Sequence, residues 1–330
     1  RADECDKLSK KYALEAVKEY EELTGPWCAK GGILENHKSK KVEQTLENTY
    51  AMTGWAYDTA GEKEKACKAF SDFLSKYSES KHIPSCMLRL GTLYIELKKP
   101  DIAAQTLEKL AAAYPDTSEG KQALSSLGKS MYEIGNYDKS IEAFGKVFEQ
   151  NIELPIPTMQ WITANLYNCG GTHPKKGALL SVKAGTALLE LLKNPRPEDW
   201  ISKERMKEIA DKPDEQNKII GSIKDRMLFE TANGTFWSED YEGSIKLIDE
   251  MLKNENSRYL FDGLFLKAQA LKTLKRHEEA LKTYGEIVLK STLGGRKNDT
   301  VYFKAQCLSG ELLVELNDFG KAYNAFAMLS

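Results

Sequence analysis

The chain has 330 residues, a formal net charge of −2 and 41% hydrophobic residues. That composition excludes a disordered or fibrous chain, and the near-zero charge gives no pull toward nucleic acid or an anionic membrane. No apolar run reaches the ~18 residues needed to cross a bilayer, so no membrane-spanning segment is expected.

The chain opens on Arg1 rather than Met and ends within a helical pattern at Ser330, so processing at the start and further sequence after the end are expected. Residues 5–24 read as an amphipathic helix with Leu8, Tyr12, Ala16 and Leu23 as its apolar line; it is expected to cap the helix pairs after it. Thr24-Gly25-Pro26 stops it, and Trp27 to Lys40 reads as a loop. Residues 42–80 form a helix pair carrying Tyr50, Gly54, Tyr57, Ala66 and Phe70, with Gly61 ending the first helix.

Two more pairs lie between Pro84 and Asn151, and superimposing Gly91 on Gly128 aligns Leu90 with Leu127, Ala103 with Ser140 and Leu107 with Phe144. The offset is 37 each time (128 − 91, 140 − 103, 144 − 107), and Gly54 precedes Gly91 by the same 37. Met87, Leu90, Tyr94 and Leu97 share one helical face; Ala103, Leu107, Leu110 and Tyr114 share the next. Gly91 and Ala103 are small where two helices cross, and Gly135 stands where a left-handed cap is expected.

A fourth pair begins near Pro157, with Trp161 on its first helix and Asn165 where glycine is expected. Its turn, Gly170-Gly171-Thr172-His173-Pro174, is long, and its second helix runs over 175–193. Asn194-Pro195-Arg196-Pro197 and Lys212-Pro213 bracket an insertion at 195–215 with a short helix. The pattern resumes at 238–251, where Tyr241 and Ser244 match Tyr137 and Ser140, and continues through Ala268, Ala280 and Tyr284. After a Gly-rich loop, Leu293 to Asp299, a last pair carries Gly310, Ala322 and Phe326.

A fixed period of this length, built on helix pairs, marks a helical solenoid. Met87, Leu90-Gly91, Tyr94, Ala103 and Pro115, with Leu107 in place of an aromatic, resemble the tetratricopeptide repeat. The resemblance implies an all-α fold, a right-handed α-solenoid of about seven helix–turn–helix repeats. The expected division is a capping helix and loop over 1–41, regular repeats over 42–156, an irregular repeat with a helical insertion over 157–225, and further repeats over 226–330.

Catalytic chemistry is not legible. No phosphate-binding loop, dinucleotide fingerprint, HExxH or nucleophile elbow occurs. His37, His82, His173 and His277 have no His or Cys at ligand spacing, so neither metal nor cofactor is expected. The six cysteines read as buried small hydrophobes, although Cys67 and Cys86 fall on helices that pack together, and Cys5 and Cys28 bracket the first helix.

The family's first helices line a concave groove that takes an extended peptide or a partner helix. Carried over, that groove holds Trp55, Arg89, Lys129, Tyr132, Phe229, Phe236, Trp237 and Lys304, with Met52, Thr92, Asn233, Phe265, Gln269 and Glu311 beside them. Arg89 and Lys129 are expected to favour an acidic partner segment. The lysine–asparagine–arginine clamp of co-chaperone members is largely missing: Ala51, Trp55, Arg89, Gln122 and Ser126 stand at its positions in the early repeats. Tyr114-Pro115-Asp116-Thr117 resembles the repeat ending of bacterial envelope members. The expectation is a non-enzymatic scaffold for a protein or peptide, in a bacterial periplasm or envelope or else in the cytoplasm. The alternative is a ligand-binding or enzymatic module with a pocket at 157–215.

Overall fold

The computed structural model describes residues 2–25, 39–170, 172–293 and 300–328. All regular structure among them is helical. The expected loop at Trp27–Lys40 falls mostly outside the described residues, as does most of Leu293–Asp299.

The chain divides into two compact units, Arg1–Ile152 and Glu153–Ser330. The first contains α1 (Ala2–Thr24), α2 (Lys40–Thr59), α3 (Lys63–Lys76), α4 (Ile83–Glu96), α5 (Pro100–Ala113), α6 (Ser118–Glu133) and α7 (Tyr137–Glu149). The second contains α8 (Ile156–Asn165), α9 (Pro174–Leu191), α10 (Pro197–Trp200), α11 (Lys203–Ile209), α12 (Pro213–Trp237), α13 (Tyr241–Met251), α14 (Leu260–Thr273), α15 (His277–Leu293), α16 (Thr300–Glu315) and α17 (Phe319–Ala327).

Within each unit the helices stack in chain order. The pairs are α2/α3, α4/α5 and α6/α7, then α8/α9, α12/α13, α14/α15 and α16/α17. First helices also touch first helices, as in α4 with α6, α8 with α12, and α12 with α14. No comparable contact joins one second helix to another among the described residues. First helices therefore form the inner layer of each stack and second helices the outer one.

One crossing recurs. A Cβ placed on Gly54, Gly128 or Gly310 would lie 2.5 to 2.6 Å from Phe70, Phe144 or Phe326, and one on Gly91 would lie 2.6 Å from Leu107. The missing side chain admits the bulky residue of the partner helix. One turn before that residue, a hydroxyl or a methyl fills the seam. Ser140 Oγ donates to the Gly128 carbonyl at 2.7 Å, and Ser244 Oγ to the Ala232 carbonyl at 2.9 Å. Ala66, Ala103 and Ala280 occupy the same place fully buried.

The irregular repeat keeps this crossing with its parts exchanged. Ser181 Oγ donates to the Thr163 carbonyl at 2.7 Å, so Thr163, not Asn165, stands in the glycine position. The small residue has moved to the second helix: a Cβ on Gly185 would lie 3.0 Å from Thr163 Cγ2 and 2.1 Å from Thr231 Oγ1. The insertion carries its own core, in which Ile201 and Ile209 pack with Leu188, Leu192, Ile220 and Met227.

The turn within most pairs bends at one left-handed residue. These are Gly61, Lys98 and Gly135 in the first unit, and Glu239, Lys275 and Asn317 in the second, with φ between 56° and 83°. Glycine adopts this conformation freely; the other residues carry strain.

The apolar line expected on α1 needs correction. Leu8 and Tyr12 of α1 are exposed, and Val17 is the buried residue among the described side chains of that helix. Tyr50 Oη donates to the Thr24 carbonyl at 3.1 Å, and Tyr57 bonds Glu21, so α1 meets α2 through its C-terminal half. The cysteines described in the core follow their reading as buried small hydrophobes, and the weaker reading of a bridge between Cys67 and Cys86 does not hold. Cys67 and Cys86 lie in one buried cluster as separate thiols, and burial pushes the Cys86 thiol up to about 12. Cys28 and the side chain of Cys5 lie outside the described residues.

Candidate functional site

The expected groove residues lie on first helices of both units. In the first unit, Trp55 sits one residue after Gly54 and is half-buried. Its ring meets Phe70 edge-on, with centroids 5.3 Å apart at 81°. It is thus anchored to the core cluster around Phe70. Tyr132 makes a similar edge contact with Tyr137, at 5.2 Å and 65°. Lys129 is partly buried, and that burial holds its ammonium below the ordinary lysine value, with Glu133 opposing.

Arg89 is engaged within the chain. Its Nε and Nη2 lie 2.6 and 2.7 Å from the two Asp58 carboxylate oxygens, and its Nη1 lies 3.0 Å from Glu96 Oε1. Lys63 completes the group at 2.7 Å from Glu96 Oε2. The hydrogen bonds to Asp58 raise the guanidinium above its ordinary value, and the bond from Lys63, then Arg89, holds the Glu96 carboxyl below the ordinary one. A partner carboxylate would have to displace Asp58 or Glu96 to reach this charge. Asp58 and Glu96 do not stand out in the sequence, because a single repeat does not show which residue faces the preceding first helix.

In the second unit α12 carries Phe229, Asn233, Phe236 and Trp237. Phe229 stacks on Tyr259 at 5.0 Å and 20°, and the Arg258 guanidinium lies 4.8 Å over the same tyrosine. Phe236 is held by Tyr241 at 5.2 Å and by Trp237 at 5.9 Å, both near perpendicular. Trp237 itself is 49% exposed. Asn233 Nδ2 donates to the Phe229 carbonyl at 2.9 Å. Lys304 on α16 lies 4.6 Å over the ring of Phe265, which is itself buried.

Glu230 carries no signal in the sequence. Its Oε1 lies 3.4 Å from Arg226 Nε, while its Oε2 and that Nε are buried without hydrogen-bond partners among the described residues. Burial raises its carboxyl above the ordinary value, and its charge in turn raises the nearby Tyr167 and Tyr259 phenols, which burial has already pushed up. A depression of about 240 Å³ among α5, α6 and α7, floored by Leu124, Leu127 and Met131, holds none of the expected groove residues. No group of three or more His, Cys, Asp and Glu residues able to hold a metal ion occurs among the described residues.

Helix pairs stacked in chain order, crossing at a glycine and presenting their first helices as one face, define an all-α repeat protein. The model of the tetratricopeptide repeat family matches residues 52–80 and 85–117. Repeats of this family are general scaffolds for protein–protein interaction. A tetratricopeptide repeat protein from Parabacteroides merdae is 11% identical, with 86% of this chain and 93% of that one covered and a TM-score of 0.43. The C-terminal part of a repeat-containing protein from Cytophaga hutchinsonii is 15% identical, with 84% and 93% covered and a TM-score of 0.45. The TPR2AB domain of yeast Sti1, solved as a pHSP90 complex, is 14% identical, with 79% and 99% covered and a TM-score of 0.31. No curated protein matches the chain. No described helix is long and apolar enough to cross a membrane.

Proposed function

We propose that the protein is a non-enzymatic scaffold that binds a peptide or a partner protein along the first-helix face of its repeats. The row on α12 carries this reading. Phe229 and Phe236 are fixed by ring contacts, and Trp237, which meets Phe236 edge-on, is half exposed. Rigid aromatics with a polar amide among them suit a binding surface, where a few such anchors supply most of the affinity. Arg89 has a structural task in this reading, and Lys129 and Lys304 are the expected cations of the groove. The ending Tyr114-Pro115-Asp116-Thr117 favours a place in bacterial envelope assembly.

The test is capture of the partner from the native organism, identification by mass spectrometry, and measured affinity for wild type and Trp237→Ala. Loss of about 2 kcal/mol or more at unchanged helical content is the expected result. Unchanged affinity would remove Trp237, and with it the α12 row, from the binding face. Trp55→Ala is expected to weaken binding too, but through a loosened first pair as well, since that ring packs on Phe70.

A further inference from the structure

The depression among α5, α6 and α7 has a cause in the repeat. One period earlier, Leu74 on α3 and Tyr94 on α4 pack against the buried cluster around Phe73 and Leu93. The period of 37 puts Ala111 at the place of Leu74 (74 + 37) and Met131 at the place of Tyr94 (94 + 37). Both residues line the depression of about 240 Å³. A branched side chain has shrunk to a methyl, and a phenol ring to a thioether, in the same seam. Close-packed proteins leave few voids larger than a water molecule. The space that one repeat fills with its own side chains is left open in the next.

The floor is apolar, with Leu124, Leu127 and Met131 buried beneath the alanines of the walls. The rim is polar. Lys139 meets Glu108 at 3.5 Å and Lys146 meets Glu142 at 2.7 Å, so these charges satisfy each other. Gln150, also on the rim, makes no side-chain hydrogen bond among the described residues. A stable protein interface buries about 800 Å² on each side around a broad apolar centre. A small apolar floor closed in by paired charges suits a compact ligand instead.

We propose that this depression binds a single-ring phenol, with its ring in the space that Leu74 and Tyr94 fill one repeat earlier and its hydroxyl at Gln150. The preceding repeat defines the fit, because the side chain missing at Met131 is itself a phenol. The site lies between the second helices α5 and α7, apart from the first-helix face proposed above, and does not rest on that reading.

The probe is p-cresol, the tyrosine side chain as a free molecule, titrated into the full chain with isotope-labelled methionine methyl groups. The Met131 resonance, identified as the one that Met131→Leu removes, is expected to shift saturably, with a dissociation constant on the order of 1 mM or tighter. Overhauser contacts from the ring protons to that methyl are expected too, and the Met52 and Met251 resonances are expected to stay in place. Ala111→Leu, which restores the side chain of the preceding repeat, is expected to weaken binding at least tenfold at unchanged circular dichroism. Toluene is expected to bind roughly fivefold more weakly than p-cresol, for want of one hydrogen bond. Absence of a saturable shift at Met131, or equal affinity of wild type and Ala111→Leu, overturns the proposal. Equal affinity for toluene overturns the phenol. N-acetyl-tyrosinamide binding tenfold more tightly than p-cresol also overturns it, because the occupant is then a tyrosine of a partner protein.

Discussion

Asp58 and Glu96 hold Arg89 from two sides, and this fixes what the guanidinium does. It ties the first helices of two successive repeats to each other. A paired, charge-assisted bond of this kind contributes more than a surface pair, though solvent reaches part of it. Asp58→Ala should therefore lower the unfolding free energy by about 1–2 kcal/mol in urea titration. No change would mean that the pair is only a surface contact. Glu96 adds a pH dependence. Its folded carboxyl lies below the ordinary value of 4.5, so the folded state holds that proton less tightly than the unfolded chain. Its stabilisation is present above about pH 4.5 and is lost as the pH falls through the lowered value. Glu230 has the opposite sign. Burial raises its carboxyl above 4.5, so its ionisation costs stability as the pH rises from there through the raised value. Glu230→Gln should raise the Tm at pH 7 and leave it nearly unchanged below pH 4. A fall at pH 7 would show that the Arg226 contact outweighs the burial. The sequence marks Arg89 correctly as a first-helix residue but not its partners. Asp58 lies 31 residues away, and only the stacking of two first helices brings the pair together.

At the scale of the helix pair, the crossing glycine is the device that sets the fold, and it was legible wherever it stayed a glycine. Gly54, Gly91, Gly128 and Gly310 stand out by their spacing. Thr163 does not, because the lost volume was moved to Gly185 on the facing helix, and a one-residue search cannot see an exchange between two. Gly128→Ala places a methyl 2.5 Å from the Phe144 ring, in a core that cannot yield. It should cost about 1–3 kcal/mol, the range for overpacking. Gly145→Ala, with nothing within 4 Å of the new methyl, should instead stabilise by about 0.5–1 kcal/mol through helix propensity. Equal effects from the two would remove the crossing from the account. The turns offer a complementary test. Lys275 holds a φ of 60° that glycine adopts without strain. Lys275→Gly should raise stability by about 0.5 kcal/mol, the strain relieved less the added freedom of the unfolded chain. The positive φ at Gly61 and Gly135 was readable from the residue type. At Lys98, Glu239, Lys275 and Asn317 nothing local announces it, and only the period places the turn.

At the scale of the molecule the helical class and the repeat were legible because apolar positions recur at helical steps and the recurrence itself repeats, at 37 residues from Gly54 through Gly91 to Gly128 and at 36 from Ser244 to Ala280. The role of α1 was less so. Leu8 and Tyr12 form an apolar line in the sequence, yet the packing uses Val17 and the C-terminal half of the helix. An amphipathic pattern says that a helix has a face, not which stretch of it finds a partner. The break between the units at Ile152 and Glu153 falls in a short non-helical link before Pro155. Limited proteolysis should cut in 152–155 before it cuts any helix, and both fragments should stay helical. Earlier cleavage at 195–215 would place the weak point in the insertion instead.

The central claim is that the first helices form the binding face. Site-specific photocrosslinking in the native organism tests it even while the partner is unidentified. A photoreactive residue would be placed at exposed first-helix positions Met52, Trp237 and Gln269, and at exposed second-helix positions Lys68, Lys146 and Lys246. The account predicts adducts of one partner protein from the first-helix positions and none from the second-helix ones. Adducts from the second-helix positions alone would contradict it.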